Sequence, residues 1–292
     1  MTENEARIWE ERVYAGGAAF VRGPEVVRWT TKAYFMRRFL DLRLSDRVLD
    51  VGCGLGEFTM LAACAVKEAV GLDAAPTALA AARVAAARFG IDNASFVEGS
   101  AYELAAAVGD RAPFDKLQCF DLLEHLSDPE NVLRQMRDLL RPGGRALIYT
   151  NCFGRSTWAY WREWARAGGK VGPLWESDRR DHHLARFTPA RLREMTAGWR
   201  ARFVYKNHFL LPLVSAAARL PDRLLAAARR ANRGPSAASS TSAGDASVTV
   251  QSRLSAPRLI LQATTLAASV LEMETLGRLT AGAGVYLLLE KV

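Results

Sequence analysis

Lysine is scarce in this sequence. Only six of the 39 basic residues are Lys; the rest are Arg, and Ala is abundant, a bias that suits a GC-rich bacterial genome. Cysteine is scarce too. Cys53, Cys64, Cys119 and Cys152 show no CxxC spacing and lie among apolar neighbours, so they read as reduced thiols and not as a disulfide framework. No window reaches the ~20 apolar residues that a membrane-spanning helix needs. The first residues, MTENEARIWEE, are acidic and polar, unlike a signal peptide. Together these absences predict a cytoplasmic protein. Internal repeats are missing, and so is any run like a basic nucleic-acid tail, although the net charge is +8. Residues 191–233 hold ten Lys/Arg against two Asp/Glu, an excess equal to that of the whole chain.

What is present is alternation. The 292 residues, half of them apolar, suit one large domain with elaborations. Residues 5–43 mix charged and aromatic positions and read as a helical cap of two or three helices, residues 1–43 in all. Short strands then follow at 47–51, 69–73, 94–99, 114–120 and 145–151, with helices between them. The helix after Pro76 ends at Gly90, and Thr188-Pro189 opens a later one. Strand–helix alternation repeated five times predicts an α/β, doubly wound, mostly parallel sheet. Residues 200–207 and 284–292 add a sixth and a seventh strand. The domain thus runs over 44–292, with insertions at 153–183 and 208–283. Within the second insertion, GPSAASSTSAGDAS (234–247) reads as disordered.

The first strand ends in DVGCGLGEF (50–58), with Gly52, Gly54 and Gly56 at alternate positions. A glycine turn between a parallel strand and its helix places backbone N–H groups at the carboxyl edge of the sheet, where ligands bind. The spacing is G-x-G-x-G and not the G-x-G-x-x-G of dinucleotide sites. Glu57 opens the following helix and would repel a pyrophosphate. Asp73 ends the second strand, seventeen residues after Gly56, where a carboxylate accepts from two ribose hydroxyls. A ribose without a phosphate, beside negative charge, suits S-adenosylmethionine.

The blocks VLDVGCGLGEFT (48–59), VGLDAA (70–75), FVEGSA (96–101), CFDLLEHLSDPE (119–130) and LRPGGRALIY (140–149) resemble, in order and spacing, those of class I S-adenosylmethionine-dependent methyltransferases. The resemblance covers about 45–150 well and 183–207 loosely. It implies a Rossmann-like methyltransferase fold of seven strands, the last antiparallel, with helical caps. It implies that Gly52, Cys53, Gly54 and Gly56 let the backbone approach the methionine end. Asp50 would orient that turn or hold the amino group, and Asp73 would bind the ribose. Ala74 would pack on the adenine, Ser100 and Ala101 would lie at its edge, and Phe120 would offer its carbonyl to the amino group. Many members carry Asp where this chain has Ser100.

Methyl transfer needs alignment of a nucleophile, and a base where that nucleophile holds a proton. His125, after the fourth strand, is the base candidate. Asp121, Glu124 and His125 also match a carboxylate-x-x-Glu-His stretch linked to a divalent metal in related ubiquinone-pathway O-methyltransferases; a loop-buttressing role is equally open, and no metal is assigned. His183 and Tyr14 are candidate acceptor contacts. The chain lacks the D/N/S-P-P-Y/F stretch of amino-directed nucleic-acid methyltransferases and any Pro-Cys nucleophile, so no nucleic-acid partner is expected. The expected activity is methylation of a small-molecule acceptor, at oxygen, in bacterial specialised biosynthesis. A lipid-linked or membrane-associated acceptor and an inactive cofactor-binding protein are the alternatives. The tryptophan-rich 153–175 and the apolar 208–277 leave peripheral lipid contact and a homodimer open.

Overall fold

A computed structural model describes residues 25–152, 161, 164–166, 168–169, 182–184, 186–206, 267, 270–271, 273, 275 and 284–292. Most of the N-terminal cap, Tyr14, most of the two insertions, and the 234–247 stretch lie outside these residues. The lipid and dimer readings rest largely on the same segments. Among the described residues, no helix is long and apolar enough to cross a membrane.

In chain order the elements are α1 (Glu25–Leu40), β1 (Arg47–Val51), α2 (Glu57–Ala63), β2 (Glu68–Asp73), α3 (Pro76–Phe89) and β3 (Ala94–Glu98). Then come α4 (Leu104–Val108), β4 (Phe114–Phe120), α5 (Pro129–Leu139), β5 (Leu140–Asn151), α6 (Pro189–Met195), β6 (Trp199–Lys206) and β7 (Gly284–Lys291). The seven strands form one sheet in the order β3-β2-β1-β4-β5-β7-β6. The first five strands pair in parallel, and β7 lies antiparallel between β5 and β6. The expected sheet and its antiparallel last strand are therefore present. The order reverses between β1 and β4, which makes that carboxyl edge the crevice of the fold.

Local chemistry explains most of the element ends. Pro76 occupies the first turn of α3, and Gly90 closes it at φ 64°. The Asp128 carboxylate caps α5 by accepting from the Asn131 N–H at 3.1 Å. Thr188 caps α6 through the Arg191 N–H at 3.2 Å. Two boundaries differ from expectation. Helix α2, which the small and apolar run FTMLAACAVK predicts over 58–67, stops at Ala63, where Asn93 Nδ2 donates to the carbonyls of Ala63 and Val66 at 2.9 and 3.0 Å. Strand β5 begins at Leu140 and not at 145. Leu140 already pairs with Phe114, and 141–144 bulge out before Arg145 pairs with Lys116.

One face of the sheet is covered by α4, α5 and α6, through Leu104, Val108, Val132, Leu133, Met136 and Leu192. The other carries α1, whose Phe35, Met36, Phe39 and Leu40 pack on Phe120, Leu147, Tyr149, Val204 and Tyr286. Met273, from the second insertion, joins that layer. All four cysteines are free thiols. Cys119 and Cys152 are buried and Cys53 is half-buried, but Cys64 is exposed, contrary to its apolar sequence setting.

Candidate functional site

The glycine turn sits at the carboxyl edge of β1, beside the switch point. Gly52, Gly54 and Gly56 all have positive φ, 75°, 52° and 74°. The N–H groups of Gly52 and Cys53 donate to the Leu72 carbonyl at 2.8 and 3.0 Å, which fastens the turn to β2. The Asp73 carboxylate completes the fastening. Its Oδ2 accepts from the Gly54 N–H at 2.8 Å and its Oδ1 from the Ala75 N–H at 3.0 Å. A carboxylate oxygen has two acceptor sites, so this role is compatible with ribose hydroxyls on the remaining lone pairs.

Asp50 is buried beneath the turn, where its Oδ2 accepts from the Thr59 hydroxyl at 2.6 Å. Burial pushes its carboxyl up to about 6, against the pull of the Thr59 hydrogen bond. A raised acid pKa means the folded state binds the extra proton. The associated stability is present below pH 4 and lost as pH rises through 6, a loss of about 3 kcal/mol. Denaturant melts from pH 4 to 8 should therefore show a decline that D50N lacks. Parallel curves for the two proteins would refute the buried titration.

The residues expected on the adenine side lie just past the ends of β2 and β3. Ala74 is half-buried and Ala101 buried. Ser100 is the cap of a short turn, and its Oγ accepts from the Tyr102 N–H at 3.1 Å. Phe120 ends β4, with its ring 4.8 Å edge-to-face from Phe58. Gly56 cannot carry a side chain, because a Cβ there would meet the Phe96 ring and lie 2.9 Å from the Ala82 Cβ. Backbone freed of side chains, a fixed carboxylate and no phosphate-binding spacing fit an adenosine cofactor with a charged amino-acid end.

Past β4 the chain makes a tight turn, with Asp121 at φ 55° and a 3₁₀ turn over Leu123–His125. Glu124 and His125 are both buried. Glu124 Oε2 accepts from the Thr150 hydroxyl at 2.7 Å, while its Oε1 is buried without a hydrogen-bond partner among the described residues. Burial and the Asp121 charge push the Glu124 carboxyl up. The Leu184 N–H donates to the Glu124 carbonyl at 2.7 Å, which draws 182–184 against this turn. His183 thereby meets His125, their rings 4.7 Å apart and edge-to-face. Glu124, His125 and His183 each present a ligand atom, all within 4.8 Å of one another.

The His125 Nδ1 lies 3.2 Å from the His182 carbonyl. A carbonyl only accepts, so Nδ1 is the donor in this contact. Asn151 Nδ2 lies 3.1 Å from the His183 Nδ1. Asp121 takes a different partner. Its Oδ2 forms an ion pair with Lys32 of α1. The Lys32 ammonium is buried, 5.8, 5.7 and 5.2 Å from the ring centres of Phe58, Phe120 and Tyr149. Sequence reasoning missed Lys32, Thr59 and Asn151. The one signal for Lys32 was a cation among the aromatic residues of α1.

Residues 43–185 match a family described as a methyltransferase domain. The chain is 36% identical over 104 residues to the ubiquinone biosynthesis O-methyltransferase of Aeromonas salmonicida, covering 36% of this chain and 42% of that protein. It is 32% identical over 143 residues to the enzyme of the same description from Cronobacter sakazakii, covering 44% and 58%. The chain thus spans about half the length of these curated relatives. Among solved structures, the geranyl diphosphate C-methyltransferase of Streptomyces coelicolor aligns with a TM-score of 0.58 at 12% identity, covering 99% of this chain and 97% of that one. Haemonchus contortus phosphoethanolamine N-methyltransferase 2 aligns at 0.59 with 14% identity, covering 100% and 61%. These two likenesses establish the fold.

Proposed function

Because its 43–185 domain belongs to the class I S-adenosylmethionine-dependent methyltransferases, we propose that this protein methylates a hydroxyl of a small-molecule acceptor in bacterial biosynthesis, using S-adenosylmethionine in the cytoplasm. The observation that carries this reading is one juxtaposition. The Asp73-tied glycine turn and the Glu124–His125–His183 cluster share the carboxyl edge of β1, β4 and β5.

In this reading Gly52, Cys53, Gly54 and Gly56 leave backbone room for the methionine end, while buried Asp50 holds the turn through Thr59. Asp73 accepts from the ribose hydroxyls. Ala74, Ser100 and Ala101 border the adenine, and the Phe120 carbonyl receives the amino group. When bound, the cofactor would supply an electrophilic methyl group carried on a sulfonium. His125 Nε2 takes the hydroxyl proton, with Nδ1–H held on the His182 carbonyl so that the ring presents the correct nitrogen. His183 and Tyr14 contact the acceptor. The relatives named for ubiquinone biosynthesis favour oxygen as the methylated atom.

The test is transfer of labelled methyl from S-adenosylmethionine to a panel of phenols and other hydroxylated metabolites. H125N should lower kcat by roughly 10²–10⁴ at pH 7, with cofactor affinity unchanged. Its deficit should shrink as pH approaches the pKa of the acceptor hydroxyl. An H125N enzyme with wild-type kcat would remove His125 from the chemistry.

A further inference from the structure

The peptide between Phe120 and Asp121 is clamped from two sides. On one side the Asp121 N–H donates to the Tyr149 carbonyl of β5 at 3.0 Å. A trans peptide sends its C=O opposite to its N–H, and β4 lies between β5 and β1. The Phe120 carbonyl therefore faces the β1 side, where the glycine turn begins. The two turns lie close together there, since a Cβ on Gly52 would sit 3.0 Å from the Leu122 side chain. Asp121 itself has φ 55°, a left-handed backbone that an L residue keeps only where its surroundings hold it. The second clamp is on its side chain, which is paired with the Lys32 ammonium.

Lys32 reaches this point from α1. Its ammonium lies 5.8, 5.7 and 5.2 Å from the ring centres of Phe58, Phe120 and Tyr149, which belong to α2, β4 and β5. Three rings and a carboxylate hold the cation in a site where water screens the pair little. Phe58 stands directly behind the glycine turn, so one ammonium braces both walls of the crevice. We infer that Lys32 is a positioning residue for the amino-acid end of the cofactor: through Asp121 it fixes the Phe120 carbonyl that accepts from the cofactor's ammonium. This rests on the S-adenosylmethionine reading above, and it adds a residue 89 positions away from the turn it holds. Carbonyl bonds weaken steeply as their angle opens, so a loose peptide loses the contact. Asp121 also neutralises the Lys32 charge, which would otherwise repel the cofactor's ammonium.

Calorimetry with two nucleosides separates this role from general support of the fold. S-adenosylhomocysteine carries the amino-acid end, and 5′-methylthioadenosine lacks it. In the full chain, Lys32→Met should weaken S-adenosylhomocysteine binding about tenfold or more, as for a lost hydrogen bond to a charged group, and shift methylthioadenosine by less than about twofold. Lys32→Arg should recover part of the loss. K32M leaves a carboxylate unpaired, so the double variant K32M/D121N, which removes both charges, carries the test if K32M does not fold. It should show the same selective loss. Equal losses for the two nucleosides would make Lys32 a support of the fold and overturn the inference. Wild-type affinity for S-adenosylhomocysteine in the double variant would leave charge balance alone and overturn it too. Tighter S-adenosylhomocysteine binding by K32M would show that the lysine competes with the ligand's ammonium, the opposite of the inferred role. A wild-type chain that binds neither nucleoside contradicts the S-adenosylmethionine reading itself, and the inference falls with it.

Discussion

Asp73→Ala weakens S-adenosylmethionine binding by well over tenfold. Two roles converge on this carboxylate. It ties the glycine turn to β2 by accepting from Gly54 at 2.8 Å and from Ala75 at 3.0 Å, and in the proposed complex it receives the ribose hydroxyls. Hydrogen bonds to a charged group contribute ~1.5–3 kcal/mol each, so losing one ribose bond alone costs roughly 10- to 100-fold in affinity. Calorimetry on D73A and D73N reads this directly. D73N keeps one acceptor oxygen and should fall between wild type and D73A. A D73A protein that melts earlier but binds the cofactor as tightly as wild type would leave Asp73 a turn fastener and remove the ribose contact.

Gly56→Ala should destabilise the fold by about 2–5 kcal/mol, a large share of the ~5–15 kcal/mol that holds a domain together. Left-handed backbone costs a non-glycine residue ~1–2 kcal/mol. Overpacking adds ~1–3 kcal/mol, because the new Cβ would run into the Phe96 ring and Ala82. Gly90 supplies the control. It has φ 64° and closes α3, but nothing lies within 4 Å of where its Cβ would sit. G90A therefore carries the backbone cost alone. Denaturant unfolding of both variants separates crowding from strain. Equal losses would show that the Phe96 contact yields without cost.

The same contrast between local and long-range causes decides what could be read from the chain. Caps, Pro76, Gly90 and the strand–helix alternation act within a few residues, and so β1–β7 and most helix ends were legible. The early end of α2 was not, because the Asn93 amide that meets it lies thirty residues from Ala63. The bulge at 141–144 was hidden because Leu140 already pairs with Phe114 before the strand resumes at Arg145. In the site, the glycine turn and Asp73 were visible as a pattern, but the bond from Gly54 to Asp73 was not. The pairing of His125 with His183 depends on one backbone hydrogen bond from Leu184, and the pairing of Asp121 with Lys32 spans 89 residues. No periodicity encodes either. The spacing groups Asp121, Glu124 and His125 in sequence, whereas in space Asp121 pairs with Lys32 and His183 lies beside Glu124 and His125.

The central claim is that the turn at Gly52–Gly56 holds S-adenosylmethionine. A calorimetric titration of the wild-type chain with that cofactor, run beside one with a nicotinamide dinucleotide, tests it most directly. The account predicts one S-adenosylmethionine site per chain and no dinucleotide binding at the same concentrations. Absence of S-adenosylmethionine binding, or equal affinity for the dinucleotide, would contradict it.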